Sequence, residues 1–290
     1  MNLQASSGFS QSRLDAPALS VANARTATKL VGLDIDGTIM TADGFISEAV
    51  REHITQLSRD GHHVVLSTGR PLVALLPVLE ELKISQGWAV GSNGSVTIQL
   101  DQQLPGGYQI EHSVLFSARD AVTALAQYMP DAVIGLENIG RGYYINEDFG
   151  NSKLSGEHTV HSLAELQQMQ TTRVVVARAD HAAKEFSAAV AKLGLRDTYY
   201  SVADVHWMDL APEGMTKAYA LERLRKKLGV LKQETVAVGD AENDIEMLAW
   251  AHRGVAMGNS DAAVVAAANE VTYGIGDDGL EPILASLRSN

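Results

Sequence analysis

No cysteine occurs anywhere in the 290-residue chain. Disulfides and thiolate metal sites are thereby excluded, and nothing in the composition calls for an oxidising compartment. No apolar run approaches the roughly 20 residues that a membrane-spanning helix needs. The first residues also lack the basic start and apolar block of a secretion signal. Met1–Thr28, rich in Ser, Ala, Asn and Gln, reads as a disordered extension of a cytoplasmic protein. Positive charge is in short supply: 23 Lys plus Arg stand against 35 Asp plus Glu, a formal net charge of −12. Such a field repels nucleic acid and anionic lipid at long range, so neither is an expected partner. An anionic substrate would need a metal or a few local cations to receive it.

What is present is a globular composition, 46% hydrophobic and 20% charged, in a chain long enough for two domains of about 100–200 residues each. Apolar β-branched runs alternate with helical patterns at both ends of the sequence. Leu30–Ile35, His63–Ser67 and Trp88–Ser92 read as strands, with helices over Ser47–Arg59 and Pro71–Leu82, the second bent or shortened at Pro77. Later, strands at Thr235–Gly239, Gly254–Met257 and Val271–Tyr273 alternate with helices at Thr216–Leu228, Asp244–Ala251, Asp261–Ala268 and Leu280–Leu287. That alternation predicts a doubly wound, mostly parallel α/β sheet of Rossmann-like type, covered on both faces. The middle differs: polar strand-like pieces, helices over Ala118–Tyr128 and Ala182–Leu193, and Gly-rich turns at Gly106-Gly107 and Gly140–Gly142 predict an α+β insertion. The expected division is a core of residues 29–95 and 210–290, interrupted by a cap of residues 96–209.

Four segments stand where an open α/β sheet binds ligands, beyond the carboxyl ends of its strands. In Asp34-Ile35-Asp36-Gly37-Thr38, a spacing of two on extended backbone puts both carboxylates on one side. Neighbouring carboxylates do not ionise independently, which suits a nucleophile beside a general acid. A calcium loop is excluded, because its twelfth position is Phe45 where an acid is needed. Ser67-Thr68-Gly69-Arg70 offers a hydroxyl and backbone N–H groups at a helix start, a phosphate grip or a simple cap. Lys217 opens the third-quarter helix, where a cation gains nothing from the dipole. Gly239-Asp240-Ala241-Glu242-Asn243-Asp244 supplies hard oxygen ligands of the kind Mg²⁺ takes. By contrast, Gly274-Ile275-Gly276-Asp277-Asp278-Gly279 matches a dinucleotide fingerprint only in its glycines, since the second strand and its acid are missing.

Taken together and in this order, the four segments resemble the motifs of the haloacid dehalogenase-like phosphatases. The insertion, the Asn93-Gly94 pair and Val255-Ala256-Met257-Gly258-Asn259 are similar to the Cof-type subfamily with its α+β cap. One departure is Lys217-Ala218, where the family usually has Lys-Gly. The resemblance implies that Asp34 attacks phosphorus to form an aspartyl-phosphate, while Asp36 protonates the leaving oxygen and later activates water. It implies that Thr68, Gly69, Lys217 and Asn243 hold the phosphoryl group. Mg²⁺ would be held by Asp34, the backbone carbonyl of Asp36, and Asp240, with Asp244 orienting Lys217 or a metal-bound water. Arg70, Asn93, Arg141 and Tyr143 are the candidates for substrate selection. The expected substrate is a small phosphorylated metabolite, hydrolysed with Mg²⁺. A phosphomutase of the same fold and a non-catalytic metabolite-binding module are the alternatives.

Overall fold

The computed structural model describes residues 27–149, 154–177, 191–192, 194–202 and 205–288. The expected N-terminal extension up to residue 26, and nearly all of the expected helix Ala182–Leu193, lie outside the described residues.

The chain begins with β1 (Leu30–Leu33), α1 (Glu48–Arg59), β2 (His63–Ser67), α2 (Leu72–Glu81) and β3 (Gln86–Gly91), then β4 (Val96–Asp101) and β5 (Tyr108–Ser113). An insertion follows: β6 (Phe116–Ser117), α3 (Ala118–Tyr128), β7 (Val133–Asn138), β8 (Gly142–Ile145), β9 (Glu157–Val160), α4 (Leu163–Leu166), β10 (Gln170–Thr171), β11 (Val174–Ala177), β12 (Leu195–Val202) and β13 (Val205–Pro212). The chain then returns through α5 (Lys217–Leu228), β14 (Thr235–Gly239), α6 (Ile245–Trp250), β15 (Arg253–Ala256), α7 (Ala262–Ala267), β16 (Glu270–Val271) and α8 (Leu280–Leu287).

One eight-stranded sheet has the order β16-β15-β14-β1-β2-β3-β4-β5. Its first six members are parallel, and β3-β4-β5 is an antiparallel meander on one edge. β1 lies in the middle and is fully buried along its length. Alternate residues feed the two faces, as a period of two requires. Val31 and Leu33 pack with Val50, Ile54 and Leu57 of α1 and Ile283 and Leu284 of α8, whereas Leu30 packs with Leu221, Leu224 and Met247 of α5 and α6. Ser47 starts α1 by accepting the Val50 N–H at 3.2 Å, and Gly229, in the left-handed conformation at φ 68°, ends α5.

One expectation needs correction. β4 and β5 extend the core sheet, so the first core segment runs to Ser113 and not to residue 95. Their alternating polar and apolar residues suit an edge hairpin of either domain, and pairing with β3 decides the matter. The helix expected over Pro71–Leu82 is α2, which runs through Pro77 to Glu81.

The insertion forms a six-stranded sheet, β12-β13-β11-β7-β8-β9, and a small β6-β10 ladder. One face packs Ile134, Leu136, Val174, Val176, Met208 and Leu210 against Val122 and Leu125 of α3. The other carries Val133, Tyr143, Ile145 and Val175. The turn between β7 and β8 reaches the core, where Ile139 joins the cluster that contains Leu72. Among the described residues, no helix is long and apolar enough to cross a membrane.

Candidate active site

The four sequence segments converge at the carboxyl ends of β1, β2 and β14. Asp34 follows β1 directly, its N–H donating to Val238 O at 3.0 Å, and the residue is only 4% exposed. Lys217 begins α5 and points into the protein, 1% exposed. Its Nζ donates to Asp34 Oδ1 at 2.5 Å and to Asp244 Oδ1 at 2.6 Å. The other oxygen of Asp244 accepts the N–H groups of Asp240 and Ala241, both at 3.0 Å. Asp244 is thus locked by its own turn, and Lys217 is aimed at Asp34.

Two glycines make this crowding feasible. A Cβ on Gly37, whose φ is +86°, would lie 2.2 Å from Asp240 Oδ2. A Cβ on Gly239 would lie 2.4 Å from Asp244 Cγ. Any other residue at either place would displace a carboxylate of the cluster.

Carboxylate oxygens of Asp34, Asp240 and Asp244 lie within 4.8 Å of one another. With all three ionised, the carboxylates would outnumber the one ammonium of Lys217 by two charges. Burial, and then the facing Asp244, push the Asp34 carboxyl up to about 8, although Lys217 pulls the other way. Burial likewise raises Asp240 to about 6. Lys217 is held protonated: burial opposes its charge, but Asp244 and Asp34 outweigh it. A divalent cation would restore the balance, and the all-oxygen donor set suits Mg²⁺. Asp240 is pre-aimed for that purpose, because Thr38 Oγ1 donates to its Oδ1 at 2.9 Å and Asn259 Nδ2 to its Oδ2 at 3.1 Å. The same Asn259 amide donates to Gly37 O at 3.1 Å, and its Oδ1 accepts the Ile275 N–H at 3.0 Å. The turn of the rejected dinucleotide fingerprint therefore buttresses the cluster.

Asp36 stands apart from the three. Its carboxylate is 59% exposed and takes a two-pronged pair from Arg70, Nε to Oδ2 at 2.8 Å and Nη2 to Oδ1 at 2.6 Å. Such a side chain is open to solvent but held by Arg70, and any metal contact from this residue would fall to its backbone. Thr68 is buried, with Oγ1 accepting the Arg70 N–H at 3.1 Å. Asn243 donates to Asn93 Oδ1 at 2.9 Å, and both amides border Gly69.

Of the cap residues expected to select substrate, Arg141 stands exposed at the β7–β8 turn. Tyr143 does not fit that role. It is 2% exposed and its hydroxyl accepts Arg173 Nη2 at 2.6 Å, so packing has claimed the side chain. Sequence reasoning gave no individual role to Arg173, Glu137, Ser92 or Thr38, although Glu137 opens the polar stretch Glu137–Asn146 considered for substrate contact and Thr38 closes the first motif. The signal for the first two was a charge closing or opening an apolar strand, in VIGLEN and RVVVA.

A strand-end aspartate on a buried lysine, beside two further carboxylates and under an inserted cap, defines a phosphoryl-transfer hydrolase of the doubly wound α/β class. Comparison with known proteins fixes the family: a family model described as haloacid dehalogenase-like hydrolase matches residues 31–284. The chain belongs to that family, and to the phosphatases within it. One relative is the 5-amino-6-(5-phospho-D-ribitylamino)uracil phosphatase YitU of Bacillus subtilis, 29% identical over 269 residues covering 89% of this chain and 97% of that protein. The HMP-PP phosphatase of Serratia proteamaculans is 29% identical over 252 residues, covering 80% and 84%. Among solved structures, a haloacid dehalogenase-like hydrolase from Bacteroides thetaiotaomicron superposes with a TM-score of 0.75 at 22% identity, covering 90% of this chain and all of that one. At that identity the likeness is one of fold.

Proposed function

We propose that the protein is a Mg²⁺-dependent phosphatase that hydrolyses small phosphorylated metabolites in the cytoplasm through an aspartyl-phosphate on Asp34. The observation that carries the reading is the buried Asp34–Lys217–Asp244 triplet with Asp240 beside it. Asp34, Asp240 and the backbone at Asp36 would hold the ion, which supplies charge neutralisation for the transferring phosphoryl group. Lys217 keeps the attacking Asp34 oxygen oriented and offsets its charge. Thr68, the Gly69 N–H and Asn243 receive phosphoryl oxygens. Asp36 delivers a proton to the leaving oxygen and then takes one from the water that cleaves the acyl-phosphate. Arg70 must release Asp36 for that exchange, because a carboxylate paired on both oxygens with a guanidinium carries no proton to give. Most of the rate gain comes from fixed charges around the phosphoryl group. The phosphoribityl and HMP-PP substrates named for the two relatives support a small metabolite as leaving group, and a cysteine-free chain suits a reducing compartment.

The test is release of inorganic phosphate from an aryl phosphate and from a panel of phosphorylated metabolites, with Mg²⁺ and with chelator. Wild type releases phosphate only with the metal, and Asp34→Asn releases none. An Asp34→Asn enzyme that works at the wild-type rate refutes the nucleophile assignment.

A further inference from the structure

The cap meets the core through a buried charged group. Arg173, 6% exposed, directs Nη1 to two acceptors, Asp209 Oδ2 at 3.0 Å within the cap and Gly69 O at 2.7 Å in the core. Next to it Glu137, 3% exposed, accepts Ser92 Oγ of the core at 2.9 and 2.7 Å and Thr172 Oγ1 of the cap at 2.8 Å. The two core loops so gripped are themselves zipped together. Ser92 N–H donates to Arg70 O at 2.8 Å and Asn93 N–H to Thr68 O at 3.1 Å. Ser92 and Asn93 hold left-handed backbone at φ 49° and 52°, a conformation that persists only where surroundings enforce it.

Gly69 O and the Arg70 N–H belong to one peptide unit. A guanidinium on the carbonyl end polarises that unit and strengthens its N–H as a donor. That N–H bonds Thr68 Oγ1 at 3.1 Å. With one lone pair so occupied, the Thr68 hydroxyl has its hydrogen to give, and the phosphoryl pocket lies beside it. We infer that Arg173 is a positioning residue for phosphoryl binding: from the cap it holds the Gly69–Arg70 peptide, and through it sets the Thr68 hydroxyl to donate to the phosphoryl group. The inference rests on the phosphatase reading above. It makes cap docking and phosphate binding mutually reinforcing, since linkage between two binding events runs both ways.

The experiment is a double-mutant cycle between Arg173→Lys and Thr68→Val, read as kcat/KM for an aryl phosphate and as the inhibition constant of inorganic phosphate. Lys keeps a positive charge between Glu137 and Asp209 but cannot serve the same acceptors together. The expected result is a loss of about 10-fold for Arg173→Lys in the wild-type background and less than about 2-fold in the Thr68→Val background. Equal losses in both backgrounds overturn the coupling, as does no loss from Arg173→Lys when Thr68→Val is impaired. A Thr68→Val enzyme with wild-type kinetics instead removes Thr68 from the phosphate grip and refutes the reading of the site itself. Hydrogen exchange on the wild-type chain with Mg²⁺ gives a second measurement that needs no cap variant. Saturating inorganic phosphate should slow exchange in peptides covering 170–177 as well as 68–72, and slowing confined to 68–72 overturns the proposal.

Discussion

Replacing Lys217 by Met keeps a long unbranched side chain in place and removes the cation on which the cluster depends. Two hydrogen bonds of 2.5 and 2.6 Å disappear, and Asp34 and Asp244, 4% and 0% exposed, face each other without a cation. Removing one partner of a buried ion pair costs about 3–5 kcal/mol. At roughly 2–4 °C per kcal/mol for a unit of this size, the metal-free midpoint should fall by about 10 °C at pH 8.5. The loss depends on pH in a definite direction. Asp34 already titrates at about 8 with the ammonium present, so without it the carboxyl is neutral over a still wider range. A neutral acid needs no counter-ion, hence the deficit of the variant must shrink as pH falls toward 6. Mg²⁺ at millimolar concentration should return part of the stability and none of the activity, because it supplies charge without orienting Asp34. Thermal unfolding of wild type and variant at pH 6, 7 and 8.5, with chelator or with Mg²⁺, reads all of this. A loss below about 1 kcal/mol at pH 8.5, or one that grows on acidification, refutes the account of Lys217 as the cluster's counter-charge.

Gly37→Ala should abolish Mg²⁺-dependent turnover while the cap and sheet stay folded, since its Cβ would displace the Asp240 carboxylate; kinetics beside circular dichroism check it. Asn259→Ala, which frees one oxygen of Asp240 and removes the Asn259–Ile275 contact, should weaken Mg²⁺ binding about 10–100-fold in calorimetric titration. In the metal-free wild type the Asp34 and Asp240 carboxyls should subtract stability as pH rises between about 4 and 8, a contribution that an Asp34→Asn, Asp240→Asn double variant lacks. Asp34 at about 8 and Asp240 at about 6 sit above their ordinary values, so the folded state binds the extra protons and gives them up across that window. Mg²⁺ should flatten that contribution; a metal-free wild type whose stability falls with pH no faster than that of the double variant contradicts the raised values.

The core half of the candidate site was legible because each of its parts is local. Asp34 with Asp36, Thr68 with Gly69, and Asp240 with Asn243 and Asp244 each lie within a few residues at a strand end, where glycines and short polar residues advertise a turn. Lys217 gained meaning only from that company, and its burial follows from packing that no short window contains. The core boundary was misplaced because β4 and β5 are edge strands whose alternation looks the same in any antiparallel sheet. Tyr143 was misjudged for a related reason: an aromatic hydroxyl in a polar hairpin reads as a contact residue until a partner such as Arg173 is seen across the sheet. The Arg173–Glu137 bolt joins strands far apart in sequence, so neither residue looks unusual alone.

The central position of β1 bears on how the molecule is made. Its neighbours in the sheet are β2, which follows at once, and β14, which begins at Thr235. As the chain leaves the ribosome, β1 can therefore pair on one side only, and its other edge stays open until the whole cap has been synthesised. Asp34 waits as well, because its lysine lies 183 residues downstream. The nascent protein must carry a bare, wholly apolar strand edge through most of its synthesis, and the return of the chain after the cap both closes that edge and completes the site.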